Sequence, residues 1–163
     1  MLTDRLEIRP PVEADRGRFV ELFADDQFMV FTGGVLNRQR ADERFDRMLT
    51  NISEQPFAKQ PVIEQATGLL LGYSGIAWIE FEGERWPEFG YRLCSAGRGK
   101  GYATEAGLAL LDLARSCFTG TILAIIDPTN DPSMRVADKL GFRYWKQAPI
   151  YGDLCNVYRI ELP

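Results

Sequence analysis

Apolar and polar positions alternate at the start of the chain, with Leu2, Leu6 and Ile8 set against Thr3, Arg5, Glu7 and Arg9. A period of two predicts a strand over 2–9, closed by Pro10-Pro11. Over 12–25 the pattern becomes helical, with Phe19, Val20, Leu22 and Phe23 on the apolar side. A second helix is predicted over 38–54, where Phe45, Met48, Leu49 and Ile52 recur at helical spacing in a highly charged segment. Strands follow over 57–64 and 69–81, joined by a turn at Ala66-Thr67-Gly68. After a turn at Gly83, a fourth strand is predicted over 86–94. The stretch from Ser95 to Gly101 is too rich in glycine for a regular element.

A helix then starts near Tyr102. Tyr102, Ala106, Ala109, Leu110, Leu113 and Cys117 recur on one face, and the charges are confined to Glu105, Asp112 and Arg115. So apolar a helix packs against a sheet, with Cys117 as a core residue. The uninterrupted apolar run 121–126 predicts a central strand covered on both faces. Asp131-Pro132 looks like an N-cap followed by proline at the first helical position. That helix runs to about Leu140, with Gly141 as its left-handed cap. Strands over 142–147 and 154–161 close the chain around a loop at Pro149 to Asp153. The order β-α-α-β-β-β-α-β-α-β-β, seven strands and four helices, predicts an α/β (α+β) fold with a mixed sheet.

A length of 163 residues predicts a single domain, 1–163. With 45% hydrophobic and 26% charged residues, the composition excludes disorder and coiled coil. The net charge of −4 argues against nucleic acid as a partner. Histidine is absent, which removes histidine catalysis and histidine metal ligation. Three cysteines without a C-x-x-C predict neither a disulfide framework nor a metal site. The charged start lacks a signal-peptide pattern, and the uncharged stretch 65–79 is broken by Gly68, Gly72 and Gly75. A soluble, cytoplasmic protein with no membrane span is the expectation.

The segment Arg98-Gly99-Lys100-Gly101-Tyr102-Ala103-Thr104 joins a strand to a helix. Its glycines permit positive φ, its backbone N–H groups face one concavity, and the helix N-terminus adds partial positive charge. Arg98 and Lys100 would add two full charges. Together these predict a phosphate or pyrophosphate site. The P-loop pattern fails, because Cys94 stands at its first glycine and Gly101 follows Lys100. The Rossmann pattern fails because Thr104 stands at its third glycine. On these residues alone, a Gly-rich connector with no ligand is an equal alternative.

Four stretches resolve that balance. They are Leu2-Thr3-Asp4-Arg5-Leu6-Glu7-Ile8-Arg9, Pro87-Glu88-Phe89-Gly90-Tyr91-Arg92-Leu93, Arg98 to Ala106, and Asn130 to Phe142 with its K-L-G-F end. In that order they resemble the GNAT (GCN5-related N-acetyltransferase) superfamily, and within it the ribosomal-protein N-terminal acetyltransferases RimJ and RimL. The resemblance implies a mainly antiparallel, twisted GNAT-like sheet of about seven strands, flanked by about four helices. It also implies a V-shaped split between the strands at 86–94 and 121–126, with acetyl-CoA as cosubstrate in the split. The turn would bind the pyrophosphate, through Arg98, Gly99, Lys100, Gly101, Tyr102, Ala103 and Thr104. The pantetheine arm would pair like an added strand with Tyr91, Arg92 and Leu93. The N–H of Leu93 or its neighbour would hold the developing oxyanion. Asn130 and Ser133 match positions that contact pantetheine or phosphate.

The implied reaction is direct attack of a primary amine, a protein N-terminal α-amine or a small-molecule amine, in a ternary complex. Without histidine, the base falls first to Glu88, with a structural carboxylate paired to an arginine such as Arg92 as the alternative. Asp127 and Asp153 are weaker candidates. Tyr151 is the leading proton donor to the departing thiolate, ahead of Tyr144 and Tyr158. An acyl-cysteine at Cys94 is disfavoured. Phe28, Phe31, Trp78 and Trp86 are pocket candidates that core packing would also explain. The basic run Arg38, Arg40, Arg44 and Arg47 is interleaved with Asp42, Glu43 and Asp46, which predicts a solvated, salt-bridged face. The mild acidity of the chain favours a cationic acceptor. Monomer and homodimer are both open. The competing function is a non-catalytic acyl-CoA-binding module of the same fold.

Overall fold

The computed structural model describes residues 1–150 and 152–163. Seven strands form one sheet: β1 (Leu6–Ile8), β2 (Gln60–Glu64), β3 (Leu70–Phe81), β4 (Glu84–Leu93), β5 (Gly120–Ile126), β6 (Arg143–Ile150) and β7 (Asp153–Leu162). Their order is β1-β2-β3-β4-β5-β7-β6. The β4–β5 pair is parallel and the other neighbours are antiparallel. The helices are α1 (Arg16–Phe23), α2 (Asp26–Met29), α3 (Arg38–Glu54), α4 (Tyr102–Arg115) and α5 (Asp131–Lys139).

Residues opposed across an antiparallel ladder share a face. Tyr73, Gly75 and Ala77 of β3 stand opposite Arg92, Gly90 and Glu88 of β4. On this face Arg92 lies over Phe28 of α2, and Arg44 of α3 reaches the Tyr73 hydroxyl. The other face carries Phe89 and Tyr91. There Phe89 packs on Phe142 and lies beside Gly107 of α4, while the Tyr91 hydroxyl meets Ser133 of α5. Phe19, Phe23, Phe28 and Phe45 join α1–α3 to β1–β3 in one apolar cluster, and Phe89, Leu111, Ile122 and Phe142 form the centre of a second.

The helix expected over 12–25 runs only from Arg16 to Phe23, and Asp25 begins a second, short helix that was not expected. The Asp25 backbone turns extended (φ −90°, ψ 119°), and its side chain accepts from Phe28 N–H at 2.7 Å as the cap of α2. The first strand is shorter than expected. A turn closed by Thr3 N–H on Leu6 C=O folds the chain back, so Leu2 bridges Glu7. Asn130, not Asp131, caps α5 by accepting from Ser133 N–H at 3.2 Å, which moves Pro132 one residue into the helix. The expected loop from Pro149 is absorbed into β6, which runs to Ile150. Cys117 is exposed rather than core, because α4 ends at Arg115 and Cys117 falls in the turn that follows it.

Candidate active site

The sheet splits where it was expected to. β4 and β5 meet at one ladder position, Glu88 opposite Leu123, and then diverge. Pro87, which has no N–H to donate, stands just before that point. Beyond it, β4 keeps β3 on one side as far as Leu93. Cys94 N–H donates to Leu71 of β3 at 2.8 Å. Backbone groups alternate along a strand, so Leu93 and Tyr91 turn theirs toward the gap beside β5. The Leu93 carbonyl there accepts from Arg98 Nε at 3.0 Å. The gap opens into a cleft of about 1000 Å³ that reaches both sheet faces.

One end of the cleft is the turn before α4. Gly99 and Gly101 have φ of 73° and 83°, and Gly101 caps α4 with no side chain to satisfy its first N–H groups. These unpaired donors suit an anion. Arg98, Gly99, Gly101, Tyr102, Ala103 and Thr104 all line the cleft, as do Asn130 and Ser133 across it. Arg98 is tied to the Leu93 and Gln27 carbonyls, with no carboxylate within 4.0 Å among the described residues, so its charge stays available. The Lys100 side chain departs from expectation. Its Nζ pairs with Glu64 Oε1 at 3.2 Å, and its charge is spent on β2. Hydrogen bonds from Thr67, Tyr102 and Lys100 hold the Glu64 carboxyl at about 2.

The turn is braced from outside. Arg5 Nη1 donates to the Lys100 carbonyl at 2.9 Å, and its guanidinium lies 4.7 Å from the Tyr102 ring centre. Glu105 in turn accepts from Thr3 Oγ1, Arg5 N–H and Arg5 Nε.

On the opposite face, Glu88 stands at the vertex of the split. Its Oε2 is 3.3 Å from Lys59 Nζ, so the predicted carboxylate has a partner, a lysine rather than Arg92. Burial opposes the Lys59 charge, but Glu88 and Tyr73 outweigh it and hold the ammonium above the usual lysine range. The pair lies over Gly90, which stands opposite Gly75 of β3. A Cβ on Gly90 would come within 3.0 Å of Glu88 Oε1 and 3.3 Å of Lys59 Nζ; one on Gly75 would come within 2.4 Å of the Ala58 carbonyl.

Arg92 was expected to pair with the pantetheine arm through its backbone; its side chain lies on the Tyr73 face, 5.6 Å from the Phe28 ring centre and 5.8 Å from that of Tyr73. Tyr91 is on the cofactor face, where its hydroxyl is 3.1 Å from Ser133 Oγ and burial pushes its phenol up. Of the pocket candidates, Phe28, a buried core side chain, and exposed Phe31 line the cleft. Trp78 and Trp86 do not: they stack on Phe118 and Trp145, beyond the closed end of the split. Asp127 and Asp153 line the cleft, but Asp127 is held in its ionised form by the Thr129 hydroxyl and N–H. Tyr144 and Tyr158 stack on each other outside the cleft. Tyr151 lies outside the described residues. Buried Cys94 is not part of the cleft wall.

Sequence reading missed Arg44, Lys59 and Tyr73. Arg44 and Arg47 leave the salt-bridged face of α3, where Asp42 and Asp46 pair with Arg16 and Arg38. With Met48, Asn51 and Lys59 they line a side cavity of about 200 Å³. The available signal was the i, i+3, i+7 spacing of Arg44, Arg47 and Asn51.

Among the described residues no group of three acidic or cysteine side chains is arranged to hold a metal ion, and no helix is long and apolar enough to cross a membrane.

Comparison with known proteins gives this architecture its relatives. Residues 5–143 match the acetyltransferase (GNAT) domain family. The uncharacterized protein YkkB of Bacillus subtilis is 31% identical over 148 residues, covering 90% of this chain and 86% of that protein. The L-amino acid N-acyltransferase MnaT of Escherichia coli is 26% identical, covering 90% and 85%. An acetyltransferase of known structure from Agrobacterium tumefaciens superposes with a TM-score of 0.85 at 27% identity, covering 99% of this chain and 93% of its own. The split sheet thus has a lineage as well as a geometry, and the chain belongs to the GNAT acetyltransferase family as an acyltransferase enzyme.

Proposed function

We propose that the chain is an acetyl-CoA-dependent N-acetyltransferase in which a primary amine attacks the thioester directly within a ternary complex. One observation carries this reading. The Tyr91 backbone and the Leu93 N–H, which face the gap, and the first N–H groups of α4, which have no side-chain cap among the described residues, open into one cleft with Glu88 at its vertex. A strand edge suits an extended pantetheine, and the turn suits a pyrophosphate. A binding module would need the edge and the turn but not a carboxylate at their junction.

Bound acetyl-CoA supplies the acyl thioester. The N–H of Leu93 or its neighbour donates to the thioester oxygen as negative charge develops there. Asn130 and Ser133 border the arm, and Gly99 to Thr104 hold the phosphates. Glu88 takes the ammonium proton of the incoming amine, directly or through water. The N–C bond forms, the C–S bond breaks, and the leaving thiolate takes a proton from Tyr151 or solvent.

The finer placement beside RimJ and RimL is supported by Thr3 and Arg5, whose motif converges on Glu105 of the α4 motif. That branch does not bring its acceptor with it. The E. coli relative is named for an L-amino acid acceptor, which favours a small-molecule amine here. The chain is further proposed to act in the cytoplasm.

Calorimetric titration with acetyl-CoA, CoA, ATP and NAD, followed by thiol release on adding amines, tests this reading. Binding confined to the CoA species, with amine-dependent thiol release, is expected. CoA binding without release for any amine would favour the non-catalytic module, and no CoA binding would overturn both.

A further inference from the structure

The face of β3 and β4 opposite the cofactor turn gathers three cations, Arg44, Lys59 and Arg92, around the buried Tyr73 ring. Among the described residues, Lys59 has a carboxylate within 4.0 Å, Glu88, and the two arginines have none. Arg44 donates to the Tyr73 hydroxyl at 3.3 Å and lies over the Phe23 ring. Arg92 Nη1 points at the Met29 sulfur, 2.9 Å away, and its planar group lies over Phe28 and Tyr73. A thioether is a weak acceptor, so the five donors of this guanidinium are poorly served by the protein.

The same field acts on the neighbouring groups. Burial should raise the Tyr73 phenol, yet Arg92, Arg44 and Lys59 together pull it below its ordinary value. Burial lowers the Arg92 guanidinium. The side cavity shares Arg44 and Lys59 with the main cleft and extends the positive surface to exposed Arg47. The field at a cleft, rather than the net charge of −4, selects the ligand that enters it. Here it opposes the cationic acceptor that the composition favoured.

Resting on the acetyl-transfer reading above, we propose that the acceptor is a small amine that itself carries a carboxylate, held by Arg92 and Arg44 while its amino group faces Glu88. Guanidinium forks match carboxylate geometry in two-point contact. The aromatic walls, Phe28 and Phe31, leave room for an apolar side chain. The same positive field favours loss of the ammonium proton, so it prepares the amine as well as binding its carboxylate. A polyamine or an aminoglycoside would bring like charge to this wall.

The test is thiol release from acetyl-CoA with matched acceptors: L-amino acids, the same amino acids as amides, spermidine, and a short peptide with a free N-terminus. Rates are compared per neutral amine, because the amide lowers the amine's own pKa. Wild type is expected to favour the acids over their amides by about tenfold or more in kcat/KM. Arg92→Met and Arg44→Met are expected to bring that ratio toward one, with Arg92→Lys between, while calorimetry shows unchanged acetyl-CoA affinity in all three. Arg44 is only partly buried and sits on α3 rather than in the sheet, so its variant keeps the question answerable if Arg92→Met fails to fold. Equal or better use of amides, spermidine or the peptide by wild type would overturn the proposal. So would a ratio the variants leave intact. Absence of acetyl-CoA binding would instead overturn the transfer reading itself.

Discussion

Arg5 and Glu105, a hundred residues apart in the chain, form a two-point ion pair, with Arg5 Nε and Nη2 at 2.8 and 2.7 Å from Glu105 Oε2. The remaining arm of Arg5 holds the Lys100 carbonyl in the phosphate turn. The opening strand thus shapes the turn before α4. Arg5 is half exposed, so the pair itself contributes only about 1 kcal/mol. Arg5→Ala is expected to weaken acetyl-CoA binding by about three- to tenfold while the fold survives, as read by calorimetry beside circular dichroism. Unchanged affinity would reduce the brace to a surface contact.

Gly101 should tolerate no β-branched residue. Its φ of 83° is left-handed, and a Cβ there would sit 3.5 Å from Arg5 Nη2. Gly101→Val carries about 1–3 kcal/mol of backbone strain and swings the first N–H groups of α4 out of the cleft. Acetyl-CoA affinity is expected to fall more than tenfold; wild-type affinity in a folded variant would refute the pyrophosphate assignment.

Glu88→Gln separates proton transfer from structure. If Glu88 takes the amine proton, the acidic limb of the kcat/KM profile should flatten and kcat should drop by about 10²–10⁴. The change also leaves Lys59 without its carboxylate, so thermal stability falls too. A stable variant with an unaltered pH profile would return Glu88 to a purely structural role.

Gly75 and Gly90 face each other on the sheet but should respond differently to a methyl group. At Gly75 the added Cβ meets backbone, the Ala58 carbonyl at 2.4 Å, and nothing there can step aside cheaply. Gly75→Ala is expected to cost about 1–3 kcal/mol or more, a loss of several degrees in melting temperature. At Gly90 the neighbours are the ends of Glu88 and Lys59. Gly90→Ala should fold normally and lose kcat, because it displaces that ion pair. Equal melting temperatures for the two variants would contradict this division.

Acid stability carries a signature of Glu64. Its carboxyl is held at about 2 in the folded state against an ordinary value of 4.5. A depressed carboxyl contributes stability that is present in full above the unfolded value and fades as pH falls toward the folded one. Glu64→Gln should therefore lower the melting temperature at pH 7, with the gap closing between about pH 4.5 and 2. A gap that persists at pH 2 would mean the loss is steric.

Much of this was legible before any coordinates. The helical face from Tyr102 to Leu113 and the apolar run 121–126 set α4 and β5, because each is long or strongly patterned, while the period of two set only Leu6 to Ile8 of β1 and overran it at Leu2. The glycine turn before α4 was legible because its residues are consecutive. The positive wall was not, since it is assembled from α3, the approach to β2, β3 and β4. In sequence, Arg44 looks like any member of a mixed charge run; only helical phase separates it from Asp42 and Asp46. The face that the Arg92 side chain takes was not legible, because motif matching gives a position on the strand but not its pleat. The opposed glycines were invisible, because register across β3 and β4 is a long-range property.

Gly90 gives the pocket a floor made by omission. Its depth is fixed by a side chain that is missing, whereas its width is fixed by residues on α2, α3 and the loop after α2. The two dimensions therefore belong to different parts of the chain. Substitutions in the walls can retune which acceptor fits while the thioester edge of β4 stays as it is. A single methyl on the floor would shorten every acceptor at once.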